Sequence, residues 1–382
     1  MTNYHAQCTH VCLISAQPIP NLLPLLLERP QKAIFLVSTE MTAQAERLKR
    51  VVQPRGIAVA CQEIPAYDFD EVSNICEEIL KRHEDPNDGP LVLNVTGGTK
   101  IAALAAFQVF YFADRRIIYL DTSHNRLMDL APANRSMPVE DNLVKVRDYL
   151  TAYGMNPVEN KNNTQSRRRE GLDDLVNLLV KNDGLLSRLN SAIDRCESQD
   201  KSYANISLNE LGAGAEELAG LLERCGAAKR TTSTNLHVSS PEKIFFCQGG
   251  WLEEYAYWTV KALGMKGLDL VMNMTIEWDE KGRRPTENEF DVLFTHLNRL
   301  HLISCKTANP ARKTDSGVKA TEALNELDAL AERAGGLFGK AMLVSARRLR
   351  DADRERAKKM KIKLVDGNEV LKLKEHLREW LK

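Results

Sequence analysis

The stretch ENEFDVLFTHLNRLHLISCKT, residues 287–307, opens one apolar run with two acids and closes the next with a lysine. Glu289 and Asp291 alternate with Phe290 and Val292, and Ser304 and Lys306 alternate with Ile303 and Cys305. Side chains alternate across a strand, so each polar pair holds one face while its apolar neighbours hold the other. A two-residue turn at Asn298-Arg299 would close a hairpin. That register sets Leu297 opposite Leu300, Asp291 opposite Lys306 and Leu293 opposite Ser304, with facing Cβ atoms about 4.5–5.5 Å apart. A carboxylate in that position suits a divalent cation, which prefers hard oxygen ligands. A neighbouring ammonium orients water or offsets charge on a phosphate under attack. The plain alternative is an exposed cross-strand ion pair of about 0.2–1 kcal/mol with no chemical role.

Working outward, the pattern predicts a helix over 250–263 and strands near 268–278, 289–297 and 300–306. A helix over 317–334, a strand at 340–344, a helix over 350–360, a strand at 362–365 and a closing helix follow. The order is α-β-β-β-α-β-α-β-α. The N-terminal half differs. Short β-branched runs at 10–16, 33–39, 57–62, 91–96 and 116–121 alternate with helical patterns near 20–28, 41–53, 69–83 and 100–112. That alternation predicts a mostly parallel sheet covered on both faces, Rossmann-like in plan. Ligands of such sheets bind beyond the carboxyl ends of the strands, here the loops at 15–21, 38–41, 66–70 and 96–100. The polar, Asn-rich stretch YGMNPVENKNNTQSRRRE (153–170) has no periodicity and reads as a linker. The expected domains are therefore a first α/β domain (1–152), a linker (153–169), a helical, winged-helix-like connecting segment (170–247) and a second α/β domain (248–382). A helical spacer packed on both neighbours is the alternative for the third of these.

Composition narrows the function. The 382 residues carry 52 basic and 52 acidic side chains, so no global field steers a nucleic acid. Any such partner needs a local basic groove, for which Arg283, Arg284, Arg299, Lys306, Arg312 and Lys313 are candidates. The residues GRR at 282–284 read equally well as a solvated hairpin tip. No run approaches 18 apolar residues and the start lacks a signal pattern, so no membrane partner is expected. Eight cysteines, none in a C-x-x-C pair, read as free thiols of a cytoplasmic protein; Cys8 and Cys12 lack further ligands at zinc spacing.

The segment LVLNVTGGTK (91–100) is a strand, a glycine turn and a helix start. Gly97 and Gly98 allow close backbone approach, Thr99 caps, Lys100 adds charge, and the free N–H groups suit a phosphate. A tight strand–helix connection without a ligand is the alternative. Trp251, Tyr255 and Trp258 form one helical stripe, more simply core than a base-stacking platform. His296 and His301 lie on the hairpin as possible general bases. The charged helix at 346–361 reads as a solvent face with i,i+4 pairs.

Taken together, NVTGGTK, GGWLEEY, NEFDVL, LISCKT and GGLFGKAMLVS resemble the CRISPR-associated ancillary nucleases that fuse an N-terminal CARF (CRISPR-associated Rossmann fold) sensor to a C-terminal PD-(D/E)XK nuclease domain. The resemblance implies a homodimer joined through its CARF domains and a cleft for a cyclic oligoadenylate, most often the tetra-adenylate. It implies an endonuclease of type III CRISPR antiviral defence that cuts DNA or RNA with little sequence preference, using Mg2+ or Mn2+. Matching activator positions are Ser15 to Gln17, Thr39, Thr96, Gly97, Gly98, Thr99 and Lys100, with Asp121 to Asn125 nearby. Matching catalytic positions are Asp291, Lys306, Glu253 on the preceding helix (preferred over Glu254) and Glu289. The usual acid-x-lysine reads Ser304-Cys305-Lys306 here. Metal binding then leans on Asp291, Glu253 or Glu289 and the Cys305 backbone carbonyl. A second class, a cyclic-oligoadenylate-sensing regulator with a dormant nuclease-like domain, also fits the serine.

Overall fold

The computed structural model describes residues 8–83, 89–158, 167–197, 202–279, 287–314 and 317–382. Arg283 and Arg284, two of the expected basic residues, lie outside the described residues. The first unit runs β1 (Thr9–Leu13), α1 (Ile19–Glu28), β2 (Lys32–Val37), α2 (Thr42–Val52), β3 (Ala58–Glu63), α3 (Phe69–Arg82), β4 (Leu91–Asn94), α4 (Lys100–Phe112) and β5 (Arg116–Asp121). An antiparallel extension, β6 (Arg126–Ala131) and β7 (Arg135–Pro138), follows and had no counterpart in the expected elements. The sheet order is β3-β2-β1-β4-β5-β6-β7. The order reverses between β1 and β4, which opens a crevice beyond their carboxyl ends. The inner strands β1 and β4 are buried throughout, which is why they read as unbroken apolar runs.

Next come α5 (Val146–Ala152) and β8 (Met155–Pro157). Here the structure departs from the expected linker, because β8 is an edge strand of the second sheet, pairing antiparallel with its neighbour through Trp278↔Met155 and Ile276↔Pro157. Met155 is wholly buried. One deep side chain in a polar stretch leaves no periodic signal, so composition alone concealed it.

The connecting segment comprises α6 (Leu172–Lys181), α7 (Asp183–Glu197), β9 (Ala204–Ser207), α8 (Leu208–Leu211), α9 (Ala215–Arg224), β10 (Lys229–Thr232), β11 (Asn235–Val238) and α10 (Pro241–Phe245). Its three strands form a small sheet in the order β10-β11-β9. The third unit contains α11 (Trp251–Lys261), β12 (Asp269–Trp278), β13 (Glu287–His296), β14 (Arg299–Lys306), the short pair β15 (Lys313–Thr314) and β16 (Gly317–Val318), α12 (Lys319–Gly335), β17 (Lys340–Ser345), α13 (Asp351–Lys359), β18 (Lys363–Asp366) and α14 (Leu373–Trp380). Its sheet order is β18-β17-β14-β13-β12-β8.

Strand alternation feeds two cores from this sheet. Val292, Phe294, Ile303 and Cys305 join the core of the connecting segment and α11. Leu293, Leu300 and Leu302 join a core shared with α1, α2 and α5 of the first unit. Trp251 and Tyr255 are buried in the former, so the aromatic stripe is core.

At the opposite end of the first sheet from the crevice, Cys8, His10 and Glu28 converge, buried. Both Glu28 oxygens are taken by Arg116, at 2.9 and 2.7 Å, and His10 Nε2 lies 2.9 Å from Oε2. Arg116 also donates to Asp129 at 2.9 and 2.7 Å. A cation here would displace or face a guanidinium, so the cluster is an ionic clamp joining β1, α1, β5 and β6. Burial opposes ionisation of Glu28, yet hydrogen bonds from His10 and Arg116 bring its carboxyl down to about 2. A carboxyl held below its ordinary value stabilises the fold above about pH 4.5 and loses that contribution as pH falls toward 2. We predict that chemical denaturation across this window shows wild type losing about 3 kcal/mol that Glu28→Gln lacks throughout. An unchanged acid slope in the variant would remove the clamp from the account.

Candidate active site and sensor cleft

The β13–β14 hairpin turns at Leu297-Asn298, one residue earlier than the expected Asn298-Arg299. His296 pairs with Arg299 and Val292 with Ile303, so one step further Asp291 faces Ser304, not Lys306. Leu293 faces Leu302 in place of the expected Ser304. Both turn residues have positive φ (49° and 57°), as a type I′ turn requires. Leucine is a poor residue there, which is why local propensity favoured the wrong turn. Tertiary contacts overrule it. Asn298 is 1% exposed; its Oδ1 accepts from the Leu143 and Val144 N–H groups at 2.8 and 3.3 Å. Its Nδ2 donates to Glu140 O at 2.9 Å and Asn125 Oδ1 at 3.2 Å. The register moved by two residues, so every side chain keeps its expected face.

Asp291 Oδ2 consequently accepts from Cys305 N–H at 2.6 Å and from Ser304 Oγ at 3.2 Å, with Lys306 Nζ 4.0 Å away on the diagonal. Ser304 thus occupies the usual acid position as a donor to Asp291. On α11, Glu253 and Glu254 separate cleanly. Glu254 is buried in an ion pair with Arg169 Nε at 3.0 Å. Glu253 lies against Asp291, and its carboxyl is pushed up to about 9 by burial first and by Asp291 and Glu289 second. Glu289, at the exposed start of β13, is raised by burial and by Asp291. Burial, the largest single effect, disfavours the Lys306 ammonium, but Asp291 together with Glu326, Cys305 and Glu253 outweighs it and the net shift is upward.

Asn273 went unremarked in the sequence. It sits on β12 opposite Asp291 with φ 53° and, with its amide oriented to satisfy its neighbours, donates to Glu253 Oε2 at 2.8 Å and Asp291 O at 3.3 Å. An asparagine inside a strand pattern was the available signal. The remaining candidates fall elsewhere. His301 is buried against Phe294 at 4.8 Å, and burial depresses its imidazole to about 3, unsuited to a base at neutral pH. Arg299 donates to Thr122 O and Ser123 O at 3.1 Å, facing the sensor instead of a substrate.

The sensor crevice is a cavity of about 350 Å3 lined by Ser15, Glu40, Met41, Tyr67, Gly98 and Thr99 among others. Gly97 packs beneath it, where a Cβ would meet Leu13 O at 2.1 Å; Gly98 has φ 76°. Thr99 caps α4, accepting from Ala102 N–H at 3.2 Å, and donates to Ala66 O. Other expected positions are engaged outside the lining. Thr96 Oγ1 donates to Asn94 Oδ1 at 2.6 Å and accepts from Leu120 N–H, and Thr39 Oγ1 donates to Glu63 at 3.2 Å. Gln17 turns away to accept from Tyr153 OH at 2.9 Å, and Lys100 is exposed at the start of α4. Tyr67, 78% exposed at the rim, was not singled out in sequence, although its loop was.

A sheet crevice beneath a glycine turn, coupled to a strand-borne Asp–Lys centre, defines a CARF–nuclease fusion. Residues 9–149 match the Card1 CARF domain, and residues 240–382 match the Card1-like endonuclease domain. The chain belongs to the Card1 family, a group of cyclic-oligoadenylate-activated nucleases of type III CRISPR defence. Among solved structures it is similar to Can2 from Sulfobacillus thermosulfidooxidans in complex with cyclic tetra-adenylate, at 27% identity and TM-score 0.79, over 98% of this chain and 99% of that one. It is also similar to VC1899 from Vibrio cholerae, at 26% identity and TM-score 0.84, over 98% of both chains. A type III CRISPR defence DNA nuclease activated by cyclic oligoadenylate shares the fold at 20% identity and TM-score 0.54, over 89% of this chain and 45% of that one. No curated protein sequence matches the chain.

Removing the Asn298 amide leaves buried N–H and C=O groups without partners, at a cost of about 1–3 kcal/mol. Asn298→Ala should lower unfolding free energy by that amount in urea titration; a variant as stable as wild type would show that the turn is held by other contacts.

Proposed function

We propose that this chain binds cyclic tetra-adenylate between the sensor domains of a homodimer and, so occupied, cuts DNA or RNA with a divalent metal. The observation that carries the hydrolytic half is the Asp291 carboxylate, fixed by the Cys305 N–H and set 4.0 Å from Lys306 beside Glu253. The donor set fits Mg2+ or Mn2+: Asp291, Glu253 and the Cys305 carbonyl offer only hard oxygens, and Glu289 adds negative charge at the mouth. A bound ion would lower the pKa of a water and offset charge on the attacked phosphate. The chain's own residues do the rest. The Cys305 N–H and Ser304 Oγ hold Oδ2 and leave Oδ1 for a ligand. Asn273 steadies Glu253, and Lys306 remains protonated to orient water and counter phosphate charge.

In the sensor, the free N–H groups at the start of α4 suit a phosphate, and Tyr67 offers a face on which adenine stacks. The Glu40 carboxylate is an acceptor for an adenine amine. Dimerisation is supported by α4, which is apolar on nearly all sides yet leaves Leu104 60% and Phe112 80% exposed. A helix apolar all round is normally covered. Tyr119 and Leu130 extend the same unpartnered apolar surface. Two-fold pairing there brings two glycine turns toward one ring of matching symmetry. The order helix, strand, two helices and hairpin in α7–β11 supports a winged-helix reading of the connecting segment.

With Mn2+ or Mg2+ and cyclic tetra-adenylate, wild type should cut plasmid or single-stranded oligonucleotides. Asp291→Ala and Lys306→Ala should each reduce the rate by at least about 100-fold while activator binding persists. Tight activator binding with no cutting under either metal would reverse the hydrolytic half. Separately, Leu104→Glu should convert a dimer to a monomer in sedimentation and weaken activator binding. A dimer that survives it would relocate the interface.

A further inference from the structure

Immediately past Lys306 the chain enters a groove between α7 of the connecting segment and the loop that joins β14 to α12. Its volume is about 290 Å3. From α7 come Ser191, Asn190 and Asp194; from the nuclease unit come Arg312, Lys319 and Arg347. Arg347 is the unusual member. It is only 7% exposed, and its one side-chain hydrogen bond among the described residues runs from Nε to Thr307 O at 3.1 Å. No carboxylate among the described residues forms an ion pair with it. Burial disfavours its charge, and Asp183 at the start of α7 offsets that only in part, from beyond ion-pair distance; a buried guanidinium with no carboxylate in contact is costly. Most other deep cations here are paired: Arg116 with Glu28 and Asp129, and Arg169 with Glu254. Beside Arg347, Asn190 donates from Nδ2 to the same Thr307 carbonyl at 3.3 Å, and its buried Oδ1 has no partner. The one acid lining the groove, Asp194, accepts from Gln248 at 3.4 Å and sits on the exposed rim.

We infer that this groove seats a backbone phosphate of the substrate strand, next to the phosphate that is cut, with Arg347 as its buried counter-charge and Arg312 and Lys319 at its rim. The inference rests on the nuclease reading above and extends it to where the uncut part of the substrate lies. A planar fork of donors suits phosphate, and the terminal nitrogens of Arg347 are the ones left over. The six residues named above are basic or small polar apart from Asp194, and none is aromatic. Such a surface grips the backbone and ignores the bases, in keeping with cutting that has little sequence preference. The connecting segment thereby gains a function: α7 is one wall of the substrate channel.

The test is binding of a fluorescent single-stranded oligonucleotide to the full, activator-bound protein by anisotropy, with Ca2+ in place of the working metal. Because binding is read without cutting, an inactive wild type would count against the nuclease reading and leave this measurement standing. Arg347→Met, which keeps the packing volume, should weaken Kd about tenfold and reduce the slope of log Kd against log salt by about 1. Arg312→Ala, at an exposed position, should produce a smaller loss with a similar slope change. Arg347→Lys should recover part of the affinity. A single neutral methylphosphonate linkage walked along the oligonucleotide should, at one position next to the cut, erase the difference between wild type and Arg347→Met. Competition by inorganic phosphate as strong as by oligonucleotide would overturn the strand assignment and leave a free-phosphate site. Unchanged affinity and salt slope in an Arg347→Met protein that still binds cyclic tetra-adenylate would overturn the proposal outright.

Discussion

The buried Asn298 amide is the constraint on which the catalytic geometry depends. It fixes a type I′ turn at a leucine that would not choose one, and that turn sets the β13–β14 register. The register in turn brings the Cys305 N–H and Ser304 hydroxyl to Asp291 and leaves Lys306 on the diagonal. All four of the Asn298 side-chain hydrogen bonds go to residues 125–144 of the sensor unit. The active site is therefore positioned, at its far end, by the sensor domain. A hairpin is stiff along its length, so its tip and its catalytic end cannot shift independently.

A second joint links the same two units. Ser15 lines the sensor cavity, while Gln17, two residues on, accepts from Tyr153 and abuts the backbone of Gly336 between α12 and β17. A Cβ at Gly336 would lie 2.3 Å from Gln17 Oε1 and displace the end of that side chain, and the φ of 53° there favours glycine. A ligand changes the balance of two states only by binding one better than the other. These two joints give such a ligand something to act on: a loop that it touches and a nuclease element that the loop touches. The shared hydrophobic core between the units makes the coupling one of packing and not of a loose tether.

Much of the architecture was legible in the sequence because burial writes periodicity. The N-terminal strands and helices, the α-β-β-β-α-β order of the nuclease unit and the placement of Asp291 and Lys306 on one face all follow from alternation. That shared face survived a wrong turn assignment, since a two-residue slip preserves faces, but the direct opposition of the two residues did not, and Lys306 lies on the diagonal. Helical phase could not separate Glu253 from Glu254. Arg169, 84 residues upstream of Glu253, separates them by claiming Glu254.

What the sequence by itself determined was the set of local choices: which runs are strands, which faces are apolar, where glycines relieve a close approach. Those depend on neighbours within a few residues, and the chain encodes them directly. Tertiary structure alone decided the hairpin register, the enlistment of β8 into a distant sheet, the role of Asn273 between two acids, and the burial of Arg347 with no carboxylate in contact among the described residues. Each of these depends on which group faces which across the fold, and a polar side chain looks the same in sequence whether it meets water, a backbone amide or an empty groove.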